Sequence, residues 1–214
     1  MRQDQENLIK FALTVNALQF GDFILKSGRS SPYFFNTGQF NTGTGLMQLG
    51  QAYAHSINAS KIKFDMLYGS AYKGIPLVAA TAIAFAAQHH RDLPYAFNRK
   101  EIKDHGEGGQ IVGSPLQGRV FILDDVISAG TSVRESIAIL KGNGATPVGI
   151  AIALDRQEQV LDLRFESTLP IISILKLEDI IEYLEKLPFY AEDLQRLHAY
   201  QALYGTITQT HNAI

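Results

Sequence analysis

Residues 119–132 read RVFILDDVISAGTS, and the order of residue types in this stretch decides the fold. Val120, Phe121, Ile122 and Leu123 form an apolar run with the length and composition of a strand buried on both faces. Two acids, Asp124 and Asp125, arrive together at its carboxyl end. Val126 and Ile127 then lead into Ser128, Ala129, Gly130, Thr131 and Ser132, residues small enough to let backbone N–H groups converge on an anion. Thr131 or Ser132 can cap the helix that follows, which carries Val133, Ile137 and Leu140 on one face and stops at Gly142-Asn143-Gly144. Residues 148–154 read as a second buried strand. The unit is strand, anion-binding turn, helix, strand. In an open parallel sheet ligands bind beyond the carboxyl ends of the strands, so both acids and the turn belong at the mouth of one site. Two carboxylates beside a phosphate cradle suit a phosphorylated sugar, although residue chemistry alone leaves a solvated acidic turn open.

The order and spacing of this stretch resemble the phosphoribosyl-pyrophosphate-binding motif of the type I phosphoribosyltransferases: four apolar residues, two acids, two further residues and a small-residue phosphate loop. The resemblance implies that Asp124 and Asp125 hold ribose hydroxyls. It also implies that the segment through Val126, Ile127, Ser128, Ala129, Gly130, Thr131 and Ser132 holds the 5′-phosphate.

Composition sets the outer bounds. A chain of 214 residues suits one domain, residues 1–214, with a real core. Its net charge of -2 argues against a general nucleic-acid binder, which needs a broad basic surface, so any anion site must be local. With no cysteine there are no disulfides or thiolate metal sites, as expected of a cytoplasmic protein. The opening MRQDQENLIK is polar and does not read as a secretion signal. The longest apolar stretch, 75–87, falls short of the ~20 residues of a membrane helix and reads as a packed helix; no membrane partner is expected.

Along the chain, Leu8, Phe11, Leu13, Val15 and Leu18 predict a helix over 4–20 that Gly21 ends. Residues 23–25 form a short strand candidate, and in KSGRSSPYFFN Gly28 and Pro32 punctuate a turn before extended structure resumes at 33–35. A helix over 43–56 and a strand over 64–68 precede GSAYKG, where small residues bracket Lys73 at the start of the 75–87 helix. A strand at 94–97 runs into NRKEIKDHGEGG, residues 98–109, a mobile segment with cationic Arg99, Lys100, Lys103 and His105 and a glycine-rich backbone. Residues 151–154 lead to DRQE, where Arg156 can pair with a ligand carboxylate or equally with Asp155 or Glu158. A strand at 171–175 and helices at 177–187 and 191–204 follow, the helices covering one face of the sheet. The polar tail at 206–214 is expected to be disordered. By residue chemistry alone, Lys26 is a surface charge and Phe34 and Phe35 are core rings.

ILKSGRSSPYFFN, GSAYKG, RKEIKDHGEGG and DRQE resemble the site segments of the bacterial orotate phosphoribosyltransferases, and the likeness runs over about residues 11–200. It implies a central, mostly parallel sheet flanked by helices, under a small hood built from roughly residues 1–40 and C-terminal elements. It assigns Lys26, Tyr72, Lys73, Arg99, Lys100, Lys103 and His105 to phosphoribosyl pyrophosphate, and Phe34, Phe35, Ser128 and Arg156 to orotate. Lys26, Lys103, Asp124 and Asp125 form the implied catalytic set, and Mg²⁺ is the implied cofactor, held mainly through substrate and water. In relatives the 99–109 loop closes over the neighbouring subunit's site, so the likeness implies a homodimer. It also implies a cis peptide at Ala71-Tyr72. Three departures stand out: Ser70 where proline is common, Ser128 where threonine is common, and a shortened connection at 159–170. A purine acceptor and a non-catalytic regulator are the rival readings; Phe34-Phe35, the KDHGEGG loop and Arg156 count against the first, and a complete lid without a DNA-binding appendage counts against the second.

Overall fold

The computed structural model describes residues 1–25, 28–103, 109–127, 131–158 and 169–205, without the side chains of 101–103 and 109. Helix α1 (Gln3–Thr14) leads into an antiparallel pair, β1 (Leu18–Ile24) and β2 (Ser30–Phe35), which forms a sheet of its own. Then come α2 (Gly43–Ala59), β3 (Met66–Gly69), α3 (Gly74–His89), β4 (Tyr95–Lys103), β5 (Gly109–Gly113), β6 (Arg119–Asp124), α4 (Thr131–Gly142), β7 (Thr146–Asp155) and β8 (Ile171–Lys176). Two further helices, α5 (Leu177–Leu184) and α6 (Ala191–Tyr204), follow. The second sheet has the order β5-β4-β3-β6-β7-β8, parallel throughout except for β5, which pairs antiparallel with β4 at one edge. Among the described residues no helix is long and apolar enough to cross a membrane.

The apolar run that opens the central unit has the predicted place. Val120, Phe121, Ile122 and Leu123 are fully buried between β3 and β7, with Phe121 and Leu123 facing one core and Val120 and Ile122 the other. Period-two alternation into two cores is what makes the run continuous rather than alternating in polarity. Gly69 ends β3, where an added Cβ would stand 2.2 Å from the Gly74 carbonyl oxygen. The strand end and the start of α3 therefore approach more closely than any side chain permits.

Three expectations are corrected. The helix predicted over 4–20 stops at Thr14: Asn16 turns the chain at φ 56°, and Leu18 and Phe20 belong to β1. Their spacing fits both periods, and pairing with β2 decides between them. Gly21 lies inside β1, at the irregularity between Phe20 and Phe23, and ends no helix. Of the segment predicted as a mobile loop over 98–109, residues 98–103 belong to β4 and Gly109 begins β5, which pairs antiparallel with it, while residues 104–108 lie outside the described residues. Such an edge pair lacks the apolar alternation that reveals a half-buried strand. Finally, α5 ends at Leu184 rather than 187, because Leu187 precedes Pro188 and takes extended angles, φ -123° and ψ 96°. The tail at 206–214 lies outside the described residues.

Candidate active site

At the carboxyl end of β6 the two acids have different surroundings. Asp124 is 5% exposed; its Oδ1 accepts from the Asp125 N–H at 2.9 Å and its Oδ2 from the Ser132 hydroxyl at 2.6 Å. Burial holds its carboxyl above the usual carboxylate range, the Asp125 charge adds to this, and the Ser132 hydroxyl opposes it. The Asp124 carbonyl accepts from the Tyr53 hydroxyl at 2.7 Å, which ties α2 to the strand end. Asp125 instead receives the Lys73 ammonium at 2.5 Å. Thr131 and Ser132 stand in the first turn of α4, where the Ser132 hydroxyl serves Asp124.

The loop after β3 meets this acid pair from the side. Its Ala71-Tyr72 peptide is cis, as the resemblance implied. The Ala71 N–H donates to Asn98 Oδ1 at 3.0 Å, and Lys100 Nζ lies 5.0 Å over the Tyr72 ring. Asn98 and Lys100 thus meet this loop from β4. Lys73, Asp124, Asp125 and Ser132 come together at the end of β6, and Lys100, from within β4, reaches the neighbouring Tyr72. Val126 and Ile127, which follow the acids, pack partly buried against the two opposite cores. Lys26, His105, Ser128, Ala129, Gly130 and the Lys103 side chain lie outside the described residues, as does most of the 159–170 connection.

One strand over, β7 ends beside β6, and the Ala153 N–H donates to the Asp125 carbonyl at 2.8 Å. Arg156 lies just beyond. Its Nε donates to Glu158 Oε1 at 2.5 Å and its Nη2 to the Ser31 hydroxyl at 2.9 Å and the Tyr200 hydroxyl at 3.3 Å. Its guanidinium carbon stands 4.1 Å from the centre of the Tyr33 ring. Burial works against the charge, and Tyr33, Glu158 and Tyr200 more than offset it, so Arg156 is held more firmly protonated than usual. The Phe pair on β2 divides: Phe35 is buried, while Phe34 is partly exposed and stacks on Phe23 with ring centroids 5.5 Å apart. Sequence reasoning missed Arg29, Ser31, Tyr33 and Tyr200 in this cluster. Only Glu158, inside the DRQE string, had been noted as a partner for Arg156. Among the described residues no group of three or more His, Cys, Asp or Glu can hold a metal.

Comparison with known proteins places this geometry in a family. A model described as "Phosphoribosyl transferase domain" matches residues 36–174. The chain is 53% identical over 212 residues to an orotate phosphoribosyltransferase of Thioalkalivibrio sulfidiphilus, covering 96% of this chain and 100% of that one. It is 52% identical to one from Escherichia coli O9:H4, with the same coverage. The crystal structure of orotate phosphoribosyltransferase from Francisella tularensis superposes with a TM-score of 0.82 at 39% identity, covering 94% of this chain and 100% of that one. An adenine phosphoribosyltransferase of Leishmania donovani, at 14% identity and a TM-score of 0.53, shares the fold alone. With a mostly parallel sheet, paired acids at the end of β6 and relatives matched over nearly its whole length, the chain belongs to the orotate phosphoribosyltransferase family, on the type I phosphoribosyltransferase fold.

Proposed function

We propose that this site transfers the phosphoribosyl group from phosphoribosyl pyrophosphate to N1 of orotate, giving orotidine 5′-phosphate and pyrophosphate in pyrimidine synthesis. The observation that carries the reading is the pairing of Lys73 with Asp125, beside the buried Asp124, at the end of β6, with Arg156 one strand over. The acids hold the ribose hydroxyls, and the segment from Val126 to Ser132 holds the 5′-phosphate. Tyr72, Lys73 and Lys100 neutralise the departing pyrophosphate, while C1′ becomes oxocarbenium-like and catalysis rests on placement and charge stabilisation. Lys26 supplies charge near that centre. Arg156 faces the orotate anion, with Phe34, Phe35 and Ser128 completing the acceptor side.

The donor set fits Mg²⁺ in one way only. Asp124 spends both carboxylate oxygens on Ser132 and the Asp125 N–H, and Asp125 is paired with Lys73, so the two acids offer hard oxygens without a cage. An ion held by substrate phosphates and water, beside Asp124 and Asp125, suits that arrangement. Its chemistry is charge neutralisation on the pyrophosphate.

The active unit is a homodimer in the cytoplasm, with Arg99, Lys103 and His105 of one subunit serving the other's site. Mixing an inactive Lys103→Ala variant with an inactive Asp125→Ala variant restores part of the activity if the loops act in trans. No recovery, with subunit exchange verified, would place the loops in cis.

The reaction itself is tested by the loss of orotate absorbance on adding phosphoribosyl pyrophosphate and Mg²⁺, with adenine, guanine and hypoxanthine as parallel acceptors. Turnover of orotate alone is expected. Turnover of a purine instead would move the acceptor assignment.

A further inference from the structure

The acceptor arginine is held by a buried cluster whose members come from three parts of the fold, and its hydrogen bonds can be counted. A guanidinium has five N–H donors. Three of those on Arg156 are committed to Glu158, Ser31 and Tyr200, and among the described residues nothing accepts from the two on Nη1. Glu158 is the centre of the cluster. Its Oε1 accepts from both Arg156 Nε and the Tyr200 hydroxyl, the latter at 2.8 Å, and its Oε2 accepts from Arg29 Nη1 at 2.9 Å. Arg29 in turn stands 4.4 Å over the Tyr204 ring. The side chains of Arg29, Arg156 and Glu158 are only 16%, 11% and 14% exposed.

We propose that Glu158, assisted by Tyr200 and Arg29, is a positioning residue that fixes the Arg156 fork so that its Nη1 edge is presented to the anionic acceptor. The inference rests on the reading of Arg156 as the partner of orotate. Two observations distinguish this role from a cluster that only stabilises the fold. Two guanidiniums share one carboxylate, which leaves a net positive charge in a poorly solvated place, and that surplus is complementary to an anion. The fork is also pinned at two nitrogens, with its face against Tyr33, so its free edge has one direction. Without Glu158 only Nη2 remains tethered, and the guanidinium can swing. Through Tyr200 the C-terminal helix α6 becomes part of acceptor recognition, although it supplies no group to the acceptor itself.

The test is steady-state kinetics on Glu158→Gln, Tyr200→Phe, Arg156→Ala and the double variant Glu158→Gln/Arg156→Ala, with thermal melts in parallel. Glu158→Gln is expected to raise KM for orotate about tenfold, leaving kcat and KM for phosphoribosyl pyrophosphate within about twofold. Tyr200→Phe shifts the same parameter by about threefold. Because Glu158 acts through Arg156, the double variant should be no worse for orotate than Arg156→Ala alone. Suppose Arg156→Ala raises KM for orotate while Glu158→Gln and Tyr200→Phe change only the melting temperature. The positioning role is then overturned and the reading of Arg156 stands. An unchanged KM for orotate in Arg156→Ala overturns both. Should Glu158→Gln fail to fold, Tyr200→Phe, which keeps the ring and removes one hydroxyl, decides the matter.

Discussion

Strands β6 and β7 run parallel and end side by side, yet they handle charge in different ways. The end of β6 carries two acids, one buried on hydrogen bonds from its own neighbourhood and one paired with a lysine that is itself half exposed. The end of β7 carries an arginine enclosed by a carboxylate, two hydroxyls and an aromatic face. The first end is built to be completed by a charged substrate, because the Lys73–Asp125 pair can open at little cost. The second is finished before any ligand arrives, so on the proposed reading of Arg156 it would meet an acceptor without rearranging. A mobile, highly charged donor substrate and a rigid, planar acceptor call for these two solutions.

The contrast is sharpest in activity. Asp125→Ala is expected to lower kcat/KM about a thousandfold, yet to cost under about 1 kcal/mol of stability because its partner Lys73 is half exposed and returns to water. Denaturant titration beside the kinetic assay checks both halves. Next in size is Arg156→Ala, which should raise KM for orotate about a hundredfold and cost about 2 kcal/mol, because Glu158 loses one of its two guanidinium partners and keeps only Arg29 and the Tyr200 hydroxyl. Equal stability losses in these two variants would break the distinction between an open and a finished strand end.

Asp124→Asn separates function from stability at a single residue. Burial raises the Asp124 carboxyl pKa, so the folded protein holds this proton more tightly than the unfolded chain. The stability this group contributes is therefore fully present below its ordinary value of 3.8 and is lost as pH rises through the higher folded value. Removing the charge should leave the melting temperature unchanged or higher at about pH 7.5, with the advantage shrinking toward about pH 4, while turnover falls about a hundredfold. A melting temperature lower than wild type at neutral pH would mean that the carboxylate's hydrogen bonds outweigh its desolvation. The β6 end would then be as finished as that of β7.

Legibility follows the same division. The unit from Val120 to Ser132 could be read because everything that defines it is local: a run buried on both faces, two acids at its end, and small residues before an amphipathic helix. The loop around Lys73 was equally legible, since Gly69 and Gly74 mark a close approach within six residues. By contrast, the hairpin of β4 and β5 was taken for a loop, because an exposed edge pair needs no apolar alternation. Leu18 and Phe20 were given to a helix, because two apolar residues suit either period until a partner strand is known.

The sequence by itself determined the parallel sheet and the place of the acids at its mouth, because strand burial and turn chemistry are encoded by neighbours along the chain. Only the tertiary structure decided that Asp124 is buried while Asp125 meets Lys73, and that Arg156 is enclosed by Ser31, 125 residues before it, and Tyr200, 44 residues after it. Those partners are chosen by the packing of β2 and α6 against the end of β7. A hydrogen bond between such distant segments leaves no periodicity or spacing in the sequence from which to read it.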